Sequence, residues 1–211
     1  ITVAEVDQIR QITKDKYGFD PLGYTSSNQS EQEFITARFD INITDNHRLT
    51  LNHKEVESSK LNGANSSYGT FNFSSAEYQK GENTETDGFL LVSNWSDDLI
   101  TEISYSTKTQ KTSQMSPVGQ NLPSFEIDNC GARGISCELG PDIFRSANAL
   151  DTENSFFKAK LTYYDDNHKW TAGYETKEWD IYNVFIVAQN GSYSFDGISG
   201  YESQTATSFF H

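Results

Sequence analysis

The sequence predicts an all-β chain: an antiparallel up-and-down meander forming a segment of a transmembrane β-barrel, with long extracellular loops and a short N-terminal loop helix. Three observations lead there. Alternating apolar and polar runs flank tight Asp/Asn turns at three places. The runs are about 8–12 residues long, near the roughly 9–11 residues that cross a bilayer at a tilt. Short and long connections are segregated, as they are in outer-membrane barrels.

Residues 1–33 form an extracellular loop segment with a short helix. Val3, Val6, Ile9 and Ile12 recur every three residues with Glu5, Asp7, Gln8 and Arg10 between them, which predicts one amphipathic helix ending near Tyr17-Gly18. Residues 34–179 hold three hairpins. In the first, Ile35, Ala37, Phe39, Ile41 and Ile43 share one strand face, and Thr36, Arg38, Asp40, Asn42 and Thr44 share the other. This period of two excludes a helix. The turn at 45–47 leads into a second run over 48–57. The next hairpin runs from Phe89 to Ser96, turns at Asp97-Asp98 and returns from Leu99 to about Lys111. The third pairs 155–164 with 168–179 around Asp165-Asp166-Asn167. Asp and Asn suit such turns because they tolerate left-handed backbone and bond their own main chain. Residues 180–211 add a further strand, at Tyr182–Ala188, and a loop.

The connections between hairpins, 58–88 and 112–154, are rich in Ser, Asn, Gly, Gln and Thr. All tight turns therefore lie at one end and all long loops at the other, and a soluble sandwich seldom divides its loops in this way. Aromatics fall where interfacial girdles belong: Trp95, Tyr163, Tyr164 and Trp170 by the turns, and Phe34, Phe156, Tyr174 and Trp179 towards the far ends. The alternative is a secreted or surface-exposed β-sandwich adhesion or ligand-binding module, with the apolar strand faces turned towards a second sheet. In the barrel reading those faces meet outer-membrane lipid. Strand 34–44 then has one edge open within this chain, and strands outside it complete the wall, since an unpaired edge is intolerable in hydrocarbon.

Charge limits the partners. Sixteen Lys and Arg against 30 Asp and Glu give a net charge of −14, which repels phosphate backbones and excludes a nucleic-acid partner. No apolar run approaches the length of a membrane helix.

Cys130 and Cys137 enclose a short Gly-containing ring in the longest loop, and in an oxidising compartment they are expected to form a disulfide. The histidines hold no metal motif: His47 and His53 lie roughly 20 Å apart along one strand and cannot share an ion. Acidic turns such as Asp97-Asp98 are read as solvated turns rather than calcium sites. No catalytic motif is present, so the chain is expected to have no catalytic residue, no metal and no cofactor. Loop aromatics are the candidates for ligand contact, namely Tyr68, Phe71 and Phe73 in one loop and Tyr182 and Tyr193 after the last hairpin. They could equally pack the loops together.

Several segments carry a family likeness. Lys16-Tyr17-Gly18-Phe19-Asp20-Pro21, Arg38 to Ile43, Asp45 to Leu51, and Gly140 to Arg145 with Ala147-Asn148 resemble the barrel of Oar-like TonB-dependent outer-membrane receptors. The resemblance implies a barrel of about 22 strands closed by a plug, coupled to TonB through a region not in this chain, in a bacterial outer membrane. It implies a transporter that binds an unknown extracellular ligand and takes it across the outer membrane.

Overall fold

The computed structural model describes residues 1–24, 30–63, 68–145 and 148–211. Six long strands build the larger of two sheets: β1 (Ser30–Thr44), β2 (His47–Asn62), β4 (Tyr78–Asn94), β5 (Leu99–Met115), β8 (Ala149–Asp165) and β9 (His168–Val184). Each pairs antiparallel with the next, in the order β1-β2-β4-β5-β8-β9. The turns at 45–46, 95–98 and 166–167 all lie at one end of this meander. The three expected hairpins are therefore present. β1 and β9 are the two edges, and the sheet does not close into a barrel.

The strands are longer than the sequence predicts, at 15 to 17 residues. Residues 58–62 and 78–88, and 112–115 and 149–154, were expected as loop but continue the ladders. They are rich in Ser, Thr, Asn and acidic residues and bury no face, so alternation gives no sign of them. The pairing is carried by backbone hydrogen bonds and cross-strand polar contacts. A strand of 17 residues reaches roughly 56 Å at about 3.3 Å per residue.

The far-end connections, with both chain ends, fold into a cap. Its sheet follows the order β11-β10-β6-β7-β3, using β3 (Thr70–Asn72), β6 (Ser124–Gly131), β7 (Ile135–Leu139), β10 (Ser192–Asp196) and β11 (Ser208–Phe210). It is mixed: β10 runs parallel to β6 and β3 parallel to β7. A purely up-and-down meander therefore describes the large sheet only. The seventh strand expected at Tyr182–Ala188 is also corrected. Tyr182–Val184 finishes β9, and the next strand, β10, belongs to the cap.

Helix α1 (Val3–Ile12) starts at a capping box between Thr2 and Glu5, which satisfies orphan N–H groups at the helix start. It runs on through a π-helical turn, Thr13–Tyr17, to Gly18, whose left-handed φ of 77° ends it. Val6, Ile9 and Ile12 are buried, so the helix is part of the cap core rather than a loose loop. There they meet Phe73, Phe125, Ile127, Leu139, Phe195 and Tyr201, the last from α2 (Gly197–Glu202). The Cys130–Cys137 disulfide closes within the same core, linking β6 to β7.

This core contains no residue of the six long strands. The two sheets are not stacked face to face, so the packing that defines a β-sandwich is missing among the described residues.

Candidate functional site

The large sheet has two chemically opposite faces, fixed by register. On one, Ile41, Leu49, Leu91, Ile103, Ala159 and Tyr174 stand in a single row across all six strands. The adjacent row is Phe39, Leu51, Phe89, Tyr105, Phe157 and Thr176. Towards the turns, Leu161 pairs with Ala172 and Tyr163 with Trp170. These rows make a belt about 20 Å long along the strands. Nothing among the described residues covers it: Phe39 is 63% exposed, Trp170 61% and Tyr174 62%.

The other face is ionic. Asp40 accepts from Arg38 and Thr50 and lies 3.1 Å from Arg48. Lys158 pairs with Glu175 at 2.7 Å and Lys160 with Glu102 at 2.8 Å, both across strand boundaries. Exposed pairs of this kind stabilise little. What distinguishes this face is its charge: ten Lys and Arg stand on it in register against four carboxylates, Asp40, Glu82, Glu102 and Glu175. Register also corrects half of the expected girdles. Trp95, Tyr163, Tyr164 and Trp170 are exposed at or beside the turns, but Tyr164, opposite Lys169, stands with Phe34, Phe156 and Trp179 among the polar residues. Trp179 takes the Lys177 ammonium over its ring at 3.9 Å.

Clefts of about 510, 190 and 230 Å³ lie along the distal halves of the long strands, and two more lie in the cap. One, of about 260 Å³, is lined by Tyr17, Pro123, Phe125, Tyr193, Phe195 and Gln204. Tyr193 therefore faces this cleft, while Tyr182 borders a separate one of about 190 Å³ on the large sheet. Phe73 is fully buried in the core, Phe71 packs against it, and Tyr68 and Tyr182 are exposed away from this cleft. The five are not assembled into one platform. Tyr17 and Phe125 also line the cleft, and no functional motif singles either out in the sequence. Tyr17 stacks on Tyr201 with centroids 4.5 Å apart and donates to the Tyr201 carbonyl at 2.8 Å. Burial pushes its phenol up to about 12. Below it, Asp20 ties the N-terminal helix down: Arg10 donates to it twice, at 2.7 and 2.8 Å, and Lys14 lies 2.9 Å away. Chiefly through Arg10, its carboxyl is held far below the usual range.

A second cleft, of about 150 Å³, is bordered by Glu126, Glu138, Asp142 and Phe144. Glu126 and Glu138 are direct cross-strand partners. Burial raises both above the usual carboxylate range, with Asp128 adding to it at Glu126, and Glu126 and Asp142 adding to it at Glu138. A raised acid favours the fold fully below its unfolded value and loses that contribution as pH climbs through the folded one. Asp20 works oppositely, losing its contribution as pH falls below the ordinary carboxylate range. Glu126→Gln is therefore expected to raise cap stability by about 0.5–1 kcal/mol at pH 7, with no gain below pH ~4. Urea titrations across pH 4–8 measure the difference.

Compared with known proteins, the chain matches no family model, no curated protein and no solved structure.

Proposed function

We propose that this chain forms part of an outer-membrane β-barrel transporter of the TonB-dependent receptor type. The large sheet is a section of the wall and the cap is its external, ligand-facing structure. The observation that carries the reading is the uncovered apolar belt, backed by a polar face rich in charged residues. That is the lipid-out, polar-in alternation of a membrane barrel, and the belt is of the order of the ~25 Å apolar band such barrels present. Two further features support it. All three turns lie at one end, where periplasmic turns belong, and the resemblance to Oar-like receptors falls on the strands and on the cap.

In this reading the distal halves of the strands, polar on both sides, stand clear of the hydrocarbon and carry the cap outward. The edges of β1 and β9 pair with further wall strands. The aromatic cleft around Tyr193 is where an extracellular ligand rests, because rings with polar tips stack on sugars or peptides. Uptake then runs through the plug and TonB coupling that the resemblance implies. No residue of this chain is assigned a catalytic role.

Protease topology tests the proposal. On intact cells, protease should cleave the cap and spare the turns at 45–46 and 166–167, which become cleavable only once the outer membrane is opened. Cleavage of turns and cap together on intact cells would contradict it.

A further inference from the structure

Just beyond the apolar belt, on the same face, the sheet changes character within one row. Ala37, His53, Asp87, Thr107, Ser155 and Glu178 form the first row, and Ile35, Glu55, Glu85, Thr109, Glu153 and Asp180 the next. These two rows hold six carboxylates, one imidazole and no Lys or Arg. On the opposite face, by contrast, Asp40, Glu102 and Glu175 each have a Lys or Arg within 3.1 Å. Glu55 and Glu85 also stand directly across from each other, an arrangement that costs stability unless something positive lies between them.

From this band we infer a divalent metal site formed by His53, Glu85 and Asp87, suited to a borderline ion of the zinc class. His53 on β2 and Asp87 on β4 are direct register partners, and Glu85 follows two residues back on the same face. The three donor atoms lie within 4.8 Å of one another. The His53 Nδ1 and Asp87 Oδ1 atoms are 2.8 Å apart. Two ligands each about 2.1 Å from one ion stand roughly 3.0–3.4 Å apart, so this pair needs little movement to share a metal. Glu85 needs a side-chain rotation, and a pleated ladder paired on both sides keeps the backbone positions of all three fixed. Imidazole with two carboxylates favours zinc, nickel or cobalt over magnesium, which prefers an all-oxygen shell. His53 and Asp87 are open to solvent, so an ion can enter. The site does not depend on the transporter reading, because it needs the ladder and not the membrane.

Sequence spacing conceals this arrangement. His47 and His53 cannot share an ion along one strand, whereas the ligands that can are supplied by the neighbouring strand.

Calorimetric titration of the chain with Zn²⁺ at pH 7.5 tests the inference, with His53→Ala, Asp87→Asn and, as a control at an exposed turn, His168→Ala. The expected result is one equivalent of Zn²⁺ per chain, weakened roughly tenfold or more in the first two variants and unchanged in the control. Cobalt bound in place of zinc should give a visible d–d spectrum that His53→Ala abolishes, and His53→Gln checks the loss in a side chain of similar size. Binding unaffected by loss of His53, or Mg²⁺ binding as tight as Zn²⁺, would overturn the site and leave only a diffuse acidic band.

Discussion

Replacing Tyr201 with alanine is expected to destabilise the cap by about 3–5 kcal/mol, the usual cost of removing a large buried ring. Tyr201 is fully buried. It stacks on Tyr17, meets Phe195 edge-on at 5.1 Å, and shares a 2.9 Å hydrogen bond with Thr13. Its loss opens a cavity where both chain ends and the connections converge, so the N-terminal helix should detach with it. Tyr201→Phe removes only the Thr13 partnership and should cost about 1 kcal/mol. Near-UV circular dichroism in urea follows the cap, and reduction of Cys130–Cys137 reports its opening. The large sheet should hold its strand signal through this transition, because none of its residues enters the cap core. A single transition that takes sheet and cap together would contradict the separation of the two.

Arginine at Leu91 should cost about 2–4 kcal/mol in a bilayer, whereas arginine at the adjacent Leu90 should cost about 1 kcal/mol or less. The two residues are consecutive on β4 and differ only in face. Leu91 sits in the belt row between Leu49 and Ile103. Leu90 stands opposite Thr50 and Ser104, on the face that carries Asp40 and Lys158. Folding equilibria in lipid vesicles measure both variants. Equal costs would mean that hydrocarbon does not lie against the Leu91 face.

The hairpins were legible because their information is local. Period-two alternation and a two- or three-residue Asp/Asn turn specify partner, register and face together. The belt followed from the same parity, and the parity also placed Phe34, Phe156 and Trp179 on the wrong face for a second girdle, had it been applied to them. The cap was not legible. Its sheet joins Ser192–Asp196 to Ser124–Asp128 in parallel, across a gap in sequence that no local pattern spans. Its strands are short, and Phe73, Phe125 and Phe195 become a core only once those distant segments meet. The disulfide was the exception, because its two cysteines are separated by only seven positions. The polar extensions of the long strands were hidden for the opposite reason: they pair without burying anything, and hydrophobic periodicity responds only to burial. His53 joins both cases, since its own strand offers only His47, too distant to share an ion, and its ligand partners are visible only through pairing with β4.

Nitroxide labels placed singly at Leu51 and Tyr105, and at their neighbours Asn52 and Ser106, measure what lies against each face of the sheet. In the intact protein in lipid membranes, collisions with oxygen, which concentrates in hydrocarbon, are compared with collisions with a water-soluble nickel chelate. A wall strand should give high oxygen and low nickel accessibility at Leu51 and Tyr105, with the order reversed at Asn52 and Ser106. Strong nickel collisions at Leu51 and Tyr105, or labels there shielded from both reagents by packed protein, would contradict a lipid-facing belt.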